Sequence, residues 1–112
     1  MTVASIEAAA RRLLQDKNTP YRWDGAEIRD ALQEGIGALN AIRPETRYVN
    51  GELVDYVALP EEDDAVIDIS DRFAEALTYY VAYRCYLDDS SDTVNQQLAD
   101  SYLSKFNTKA QL

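Results

Sequence analysis

Residues 70–87 impose the tightest constraint on this 112-residue chain. Phe73, Ala74, Ala76, Leu77, Tyr79, Tyr80, Val81, Ala82, Tyr83, Cys85, Tyr86 and Leu87 fall so densely that they cover nearly every face of a helix. A helix that is apolar all round has no side to turn to water, so it belongs at the centre of its domain. A chain of this length makes one domain. It also buries a smaller share of its surface than a large domain does. The other elements must therefore wrap this helix, and neighbouring subunits are available to cover what they leave open.

The wrapping elements are legible from periodicity. Val3, Ile6, Ala10, Leu13 and Leu14 recur at helical spacing and predict a first amphipathic helix over 3–15. Lys17, Asn18, Thr19 and Pro20 break it. Asp24 and Glu27 have the spacing of a capping box, with Asp in place of Ser or Thr. Ile28, Leu32, Leu39 and Ile42 then share a face, with Ile36 beside it, until Arg43-Pro44 stops the helix. Gly35 and Gly37 interrupt this second helix. Each costs about 1 kcal/mol against alanine, which points to a neighbour packed closely on them.

Asn50-Gly51 between Tyr48-Val49 and Glu52-Leu53-Val54 is the strongest short hairpin signal. It predicts a two-stranded ribbon over about 46–58, ended by Leu59-Pro60. A lone hairpin is marginal in water, so this one must pack on the helices or pair with another chain. Asp88, Asp89, Ser90 and Ser91 turn the chain and can cap the next helix. Val94, Leu98, Tyr102 and Phe106, with Leu103 beside them, predict a fourth helix over about 92–106. Residues 107–112 read as a short tail. The expected fold is mainly α: a four-helix bundle-like domain over 1–106, with one small β-hairpin between helices 2 and 3.

The chemistry available is narrow. There is no histidine, the commonest metal ligand and proton shuttle. Cys85 is the only cysteine, so no disulfide forms within the chain and a reducing compartment is expected. As a nucleophile Cys85 would lack the usual activating base; a small buried hydrophobe is the expectation. No Gly-rich phosphate loop, zinc spacing or Ser-His-Asp set is present, and neither an enzyme nor a cofactor or metal site is expected. No apolar run approaches the roughly 20 residues that span a bilayer. The first residues lack a basic n-region and are expected to be a mature helix, not a signal peptide.

Charge is unevenly distributed. The net charge is −9, yet residues 1–51 carry seven acids and seven bases. Residues 52–104 carry thirteen acids against Arg72 and Arg84, and residues 105–112 add Lys105 and Lys109. Duplex binding needs clustered Lys and Arg, so tight DNA binding is not expected. Glu61, Glu62, Asp63, Asp64 and Asp68 lack the calcium-loop pattern and are expected to be a solvated loop. Capping and turn formation account equally for Asp88, Asp89 and Asp92. Arg84, set between Tyr83 and Cys85, needs a carboxylate partner if buried: either a helix 2 acid such as Glu34, or an acid of a neighbouring subunit. Tyr79, Tyr80, Tyr83 and Tyr86 lack the basic residues of a base-stacking platform. Core and interface packing suits them better.

Two segments resemble a known family. Arg22-Trp23-Asp24, Glu27-Ile28, Leu32, Gly35 and Arg43-Pro44 resemble the first half of the head–tail connector, or adaptor, proteins of tailed bacteriophages. Residues 73–86, from Phe73-Ala74-Glu75-Ala76-Leu77 to Arg84-Cys85-Tyr86, resemble that family's "ALxxYVLYRAY"-like helix, followed by an acidic turn and a last amphipathic helix. Such adaptors often have a longer β-rich stretch between helices 2 and 3 than the single hairpin here.

The resemblance implies a structural subunit of the virion, located at the head–tail junction and in the host cytoplasm during assembly. It implies a homo-oligomeric ring, typically dodecameric, beneath a portal protein. The ring would extend the channel through which double-stranded DNA passes without specific binding, and would dock a tail or nozzle protein. On this reading Lys105, Asn107, Thr108, Lys109, Gln111 and Leu112 are the expected portal contacts. Glu61, Glu62, Asp63 and Asp64 are expected to face the channel, where like charge lets DNA slide. Tyr48, Leu53, Tyr56, Tyr79, Tyr83 and Arg84 are the expected subunit interface. The rival readings are a tail-side completion or stopper protein, and a DNA-packaging or regulatory protein of helix-turn-helix type.

Overall fold

The computed structural model describes residues 1–16, 22–88 and 93–111. Four α-helices run in chain order: α1 (Val3–Leu14), α2 (Gly25–Ile42), α3 (Ala74–Asp88) and α4 (Thr93–Ala110). Between α2 and α3 lie a 3-10 turn (Pro44–Arg47), an antiparallel pair β1 (Tyr48–Val49) and β2 (Glu52–Leu53), a long irregular strap, and a second 3-10 turn (Asp71–Phe73). The protein is mainly helical with one hairpin between helices 2 and 3, as the sequence predicts. The predicted break at 17–20 lies outside the described residues, as does the predicted turn at 88–91 beyond Asp88, which ends α3.

α3 is the central helix. It packs against α1, α2 and α4, and most extensively against α4. Leu77, Val81 and Ala82 are completely enclosed, and Ala76, Cys85, Thr78 and Tyr80 nearly so. Thr78 satisfies its buried hydroxyl by donating back to the Ala74 carbonyl. Gly35 explains how α2 comes so near. A Cβ built there would lie 2.9 Å from Tyr80 Cδ1 and 3.1 Å from Cγ, against the base of the ring, which cannot swing aside. Gly37 has nothing within 4 Å of such a Cβ, so close packing does not account for it.

The helix ends follow local chemistry. Asp24 caps α2 by accepting from the Glu27 amide at 2.8 Å. Arg43 precedes Pro44 and is pushed to φ −124°, ψ 82°, ending α2 one residue earlier. Thr2 and Ser5 form a full capping box on α1 that the periodicity reading did not include. Gln15, at φ 56°, ends α1 in a left-handed cap.

Three expectations need correction. The ribbon is only two residues per strand, with Tyr48 opposite Leu53 and Val49 opposite Glu52. On one side, Thr46 accepts from Asn40 and donates to the Arg43 carbonyl, which holds 44–47 in its turn. On the other, the Gln33 amide donates to the Val57 carbonyl and accepts from the Leu59 amide, so the chain leaves the ribbon to lie along α2. Second, no separate tail begins at 107. α4 continues to Ala110, which is buried, and Arg43 Nε donates to the Ala110 carbonyl at 2.7 Å. Third, Val94 is exposed. The inward row of α4 runs through Ala99, Tyr102, Phe106 and Ala110, one position off the predicted phase at its start.

A pair of glycine substitutions tests the α2–α3 contact. Gly37→Ala should stabilise the protein by up to about 1 kcal/mol through helix propensity alone. Gly35→Ala gains the same propensity but overpacks Tyr80 at a typical cost of about 1–3 kcal/mol, and should be neutral or destabilised. Urea midpoints of the two variants should therefore move apart; equal stabilisation of both would disprove the close approach.

Candidate assembly surfaces

The side chains singled out from the sequence divide into those spent inside the chain and those turned outward. Arg84 belongs to the first group. Its Nε lies 3.0 Å from Glu34 Oε2 and its NH2 lies 3.5 Å from Asp88 Oδ1. The other Glu34 oxygen accepts from the Tyr80 hydroxyl at 3.0 Å. Burial alone would lower the Arg84 pKa, but Glu34 and then Asp88 outweigh it and raise the pKa above the ordinary value. Burial and the Glu34 bond both raise the Tyr80 hydroxyl. Of the two partners open for Arg84, the structure takes the helix 2 acid, so its guanidinium is occupied within the chain. Because Glu34 is half exposed, this bridge is worth at most about 1 kcal/mol.

The tyrosines of α3 form a ring ladder with α4. Tyr79 and Tyr86 stack on Tyr102, each at 5.9 Å between centroids. Tyr80 meets Phe106 and Tyr83 edge-on at 5.0 and 5.3 Å. Trp23 meets Tyr86 edge-on at 6.1 Å. Tyr79 and Tyr83 are only partly covered, so each packs inside the chain and still shows an edge to solvent. The Tyr79 hydroxyl donates to Glu75 at 2.7 Å, a bond that lowers the Glu75 pKa and raises that of Tyr79.

The hairpin supplies the outward group. Asn50 (φ 53°) and Gly51 (φ 81°) provide the two positive φ values that a tight I′-type turn demands. Directly opposed residues point to the same face of a ribbon. Tyr48 and Leu53 are such a pair, and they stand 60% and 54% exposed. Tyr56 follows at 65%. Val49 and Val54 anchor the ribbon to the core instead.

The acidic loop is partly structural. Glu61, Glu62, Asp63 and Asp64 are exposed, yet Asp63 Oδ1 accepts from Arg29 at 2.7 Å and its carbonyl accepts from the Ala4 amide at 2.9 Å. Asp63 thus ties the strap to α2 and to the start of α1. The expected portal residues are not a free extension. Lys109 lies 3.5 Å from Glu75, Lys105 sits over the Tyr79 and Tyr102 rings, Thr108 donates to the Ser104 carbonyl, and Asn107 and Gln111 are exposed. Leu112 lies outside the described residues.

The sequence reading missed a buried polar knot. Arg11 NH1 donates to Asp16 Oδ2 and to the Trp23 carbonyl, both at 2.8 Å, while Asp16 accepts from the amides of Arg22 and Trp23. Arg11 adjoins the apolar face of α1, and nothing local marks Asp16 as its partner.

Two clefts flank Tyr79. The larger, about 420 Å³, runs between α1 and α3 and is lined mainly by Ile6, Ala9, Leu13 and Ala74, with Arg12 and Glu75 at its rim. The smaller, about 200 Å³, lies between α3 and α4 beside Lys105 and Lys109. Among the described residues no cluster of three or more His, Cys, Asp or Glu is placed to hold a metal, and no helix is long and apolar enough to cross a membrane. No protein family, curated protein or solved structure matches the chain.

Cys85 is 2% exposed, and burial followed by the nearby Asp88 and Glu27 carboxylates pushes its thiol up to about 12. The thiolate is the reactive form. Native protein at pH 8 should therefore leave Ellman's reagent nearly colourless, and unfolding in guanidinium should release one thiol equivalent. Rapid native labelling would show that α3 is not enclosed.

Proposed function

We propose that this chain is a head-to-tail adaptor subunit of a tailed phage virion, assembling as a ring beneath the portal and docking tail components. The observation that carries the reading is the hairpin: Val49 and, just past β2, Val54 hold this segment to the core, while the Tyr48–Leu53 pair and the following Tyr56 stand exposed to solvent. Of the exposed large apolar side chains among the described residues, Val66 and Val94 stand apart, while Tyr48, Leu53 and Tyr56 lie close together at the hairpin, between the two segments that resemble the adaptor family; a local group of this kind marks a protein contact. A ring needs a heterologous contact, one patch meeting a different patch and closing by rotation. The helical content favours this reading over a barrel-like tail completion protein. Electron microscopy of the protein mixed with portal rings of the same phage is expected to show a second, coaxial ring of density. Bare portal at saturating protein would refute the assignment.

The same reading puts the exposed acids of the strap at the channel or its mouth, where they keep DNA from sticking. Asp63 is committed to Arg29, so the informative variant reverses Glu61, Glu62 and Asp64 to lysine and leaves Asp63 in place. Particles carrying it should eject DNA more slowly than wild type in a fluorescence ejection assay. Unchanged ejection would remove these acids from the channel.

A further inference from the structure

We infer that the cleft between α1 and α3 is the receptor for the hairpin of a second copy of this chain. The inference rests on the ring reading above and supplies its contact. Three observations converge on it.

The first is shape and chemistry. The cleft is predominantly apolar, and at about 420 Å³ it falls within the roughly 300–1,000 Å³ of sites that receive compact groups. Tyr48, Leu53 and Tyr56 are each more than half exposed and need such a partner. An aromatic side chain buried in a pocket is the usual anchor of an interface.

The second is charge. In a chain of net charge −9, three cations collect around Tyr79: Arg12 at one cleft, Lys105 and Lys109 at the other. Glu75 is the single acid among the residues lining the two clefts, and it already holds Tyr79 and Lys109. Arg12 is exposed and has no ion pair among the described residues. The hairpin segment offers the complement in Asp55, which is exposed two residues beyond Leu53; Glu52 is paired with Val49 and lies on the other face of the ribbon.

The third is topology. The hairpin and the cleft share no residues, so the pairing is open to head-to-tail addition, whereas reciprocal exchange between two copies would stop at a dimer. Each copy offers one hairpin and one cleft, and successive copies add head to tail until rotation closes the ring.

Site-specific cross-linking tests this, with Cys85 silent inside the core. Leu53→Cys and Ala9→Cys, singly and together, are treated with a short bis-maleimide, and circular dichroism confirms that each variant keeps its fold. The double variant is expected to give a ladder of dimer, trimer and higher species, and each single variant only background. Adding Arg12→Glu should weaken the ladder several-fold. A double variant no better than the singles, singles that dimerise as readily as the double, or a ladder indifferent to Arg12→Glu would each overturn the pairing. The same reaction on portal-bound rings separates the two claims. Rings without the ladder sink this contact and spare the adaptor assignment. A ladder in free protein that never joins a portal does the reverse.

Discussion

Enclosure of α3 is the constraint from which the rest of the arrangement follows. Fully burying a large apolar side chain contributes about 1.5–3 kcal/mol, and Leu77 and Val81 are wholly covered while Phe73 and Tyr80 are almost so. No single neighbour can cover a helix on all sides, so α1, α2 and α4 each take a sector. The α2 sector is the closest. Gly35 removes the side chain that would strike Tyr80, and Glu34, one residue earlier, holds the Tyr80 hydroxyl and Arg84 at the edge of the same contact. A glycine that weakens α2 as an isolated helix thus allows the pair to approach.

A second layer of order is polar and lies where the helices cannot reach one another by apolar packing alone. Arg11, Asp16 and the backbone of Arg22 and Trp23 close the corner between α1 and α2. A buried ion pair repays its desolvation only when the remaining polar groups are also bonded; Asp16 meets its own part of that demand with two backbone amides, whereas Arg11 Nε makes no hydrogen bond among the described residues. Gln33 and Asp63 act similarly on the strap, pinning residues 57–63 to α2 and to the first turn of α1. The strap then sends Val57, Ile67 and Ile69 into the core without forming a sheet.

Because the core closes within one chain, the surface left over has a definite character. Apolar groups remain on the outer face of the hairpin and in the cleft beside α1, with Val66 and Val94 exposed singly elsewhere. Cations remain around Tyr79, and acids on the strap and hairpin. Opposite charges placed on different patches of one molecule favour association of unlike faces and disfavour like-with-like pairing. A surface divided this way is what the proposed ring assembly and adaptor role require.

Periodicity and punctuation determined a great deal from the sequence by itself. The 3.6-residue recurrence located all four helices, the saturation of residues 73–87 identified α3 as central, and Asn50-Gly51 located the hairpin, because these signals depend only on neighbours along the chain. The Arg84–Glu34 bridge was legible as one of two alternatives, since a charge among apolar residues must find a partner. Only the tertiary structure decided the rest. The reach of the ribbon depends on Gln33, twenty-four residues before Val57. The continuation of α4 depends on the seating of Ala110 and its bond to Arg43, sixty-seven residues earlier. The Arg11–Asp16–Trp23 knot and the cleft beside Tyr79 exist only once separate elements meet. Local pattern reports which side a segment must bury, whereas what buries it, and what remains uncovered, depends on contacts between residues far apart in the chain.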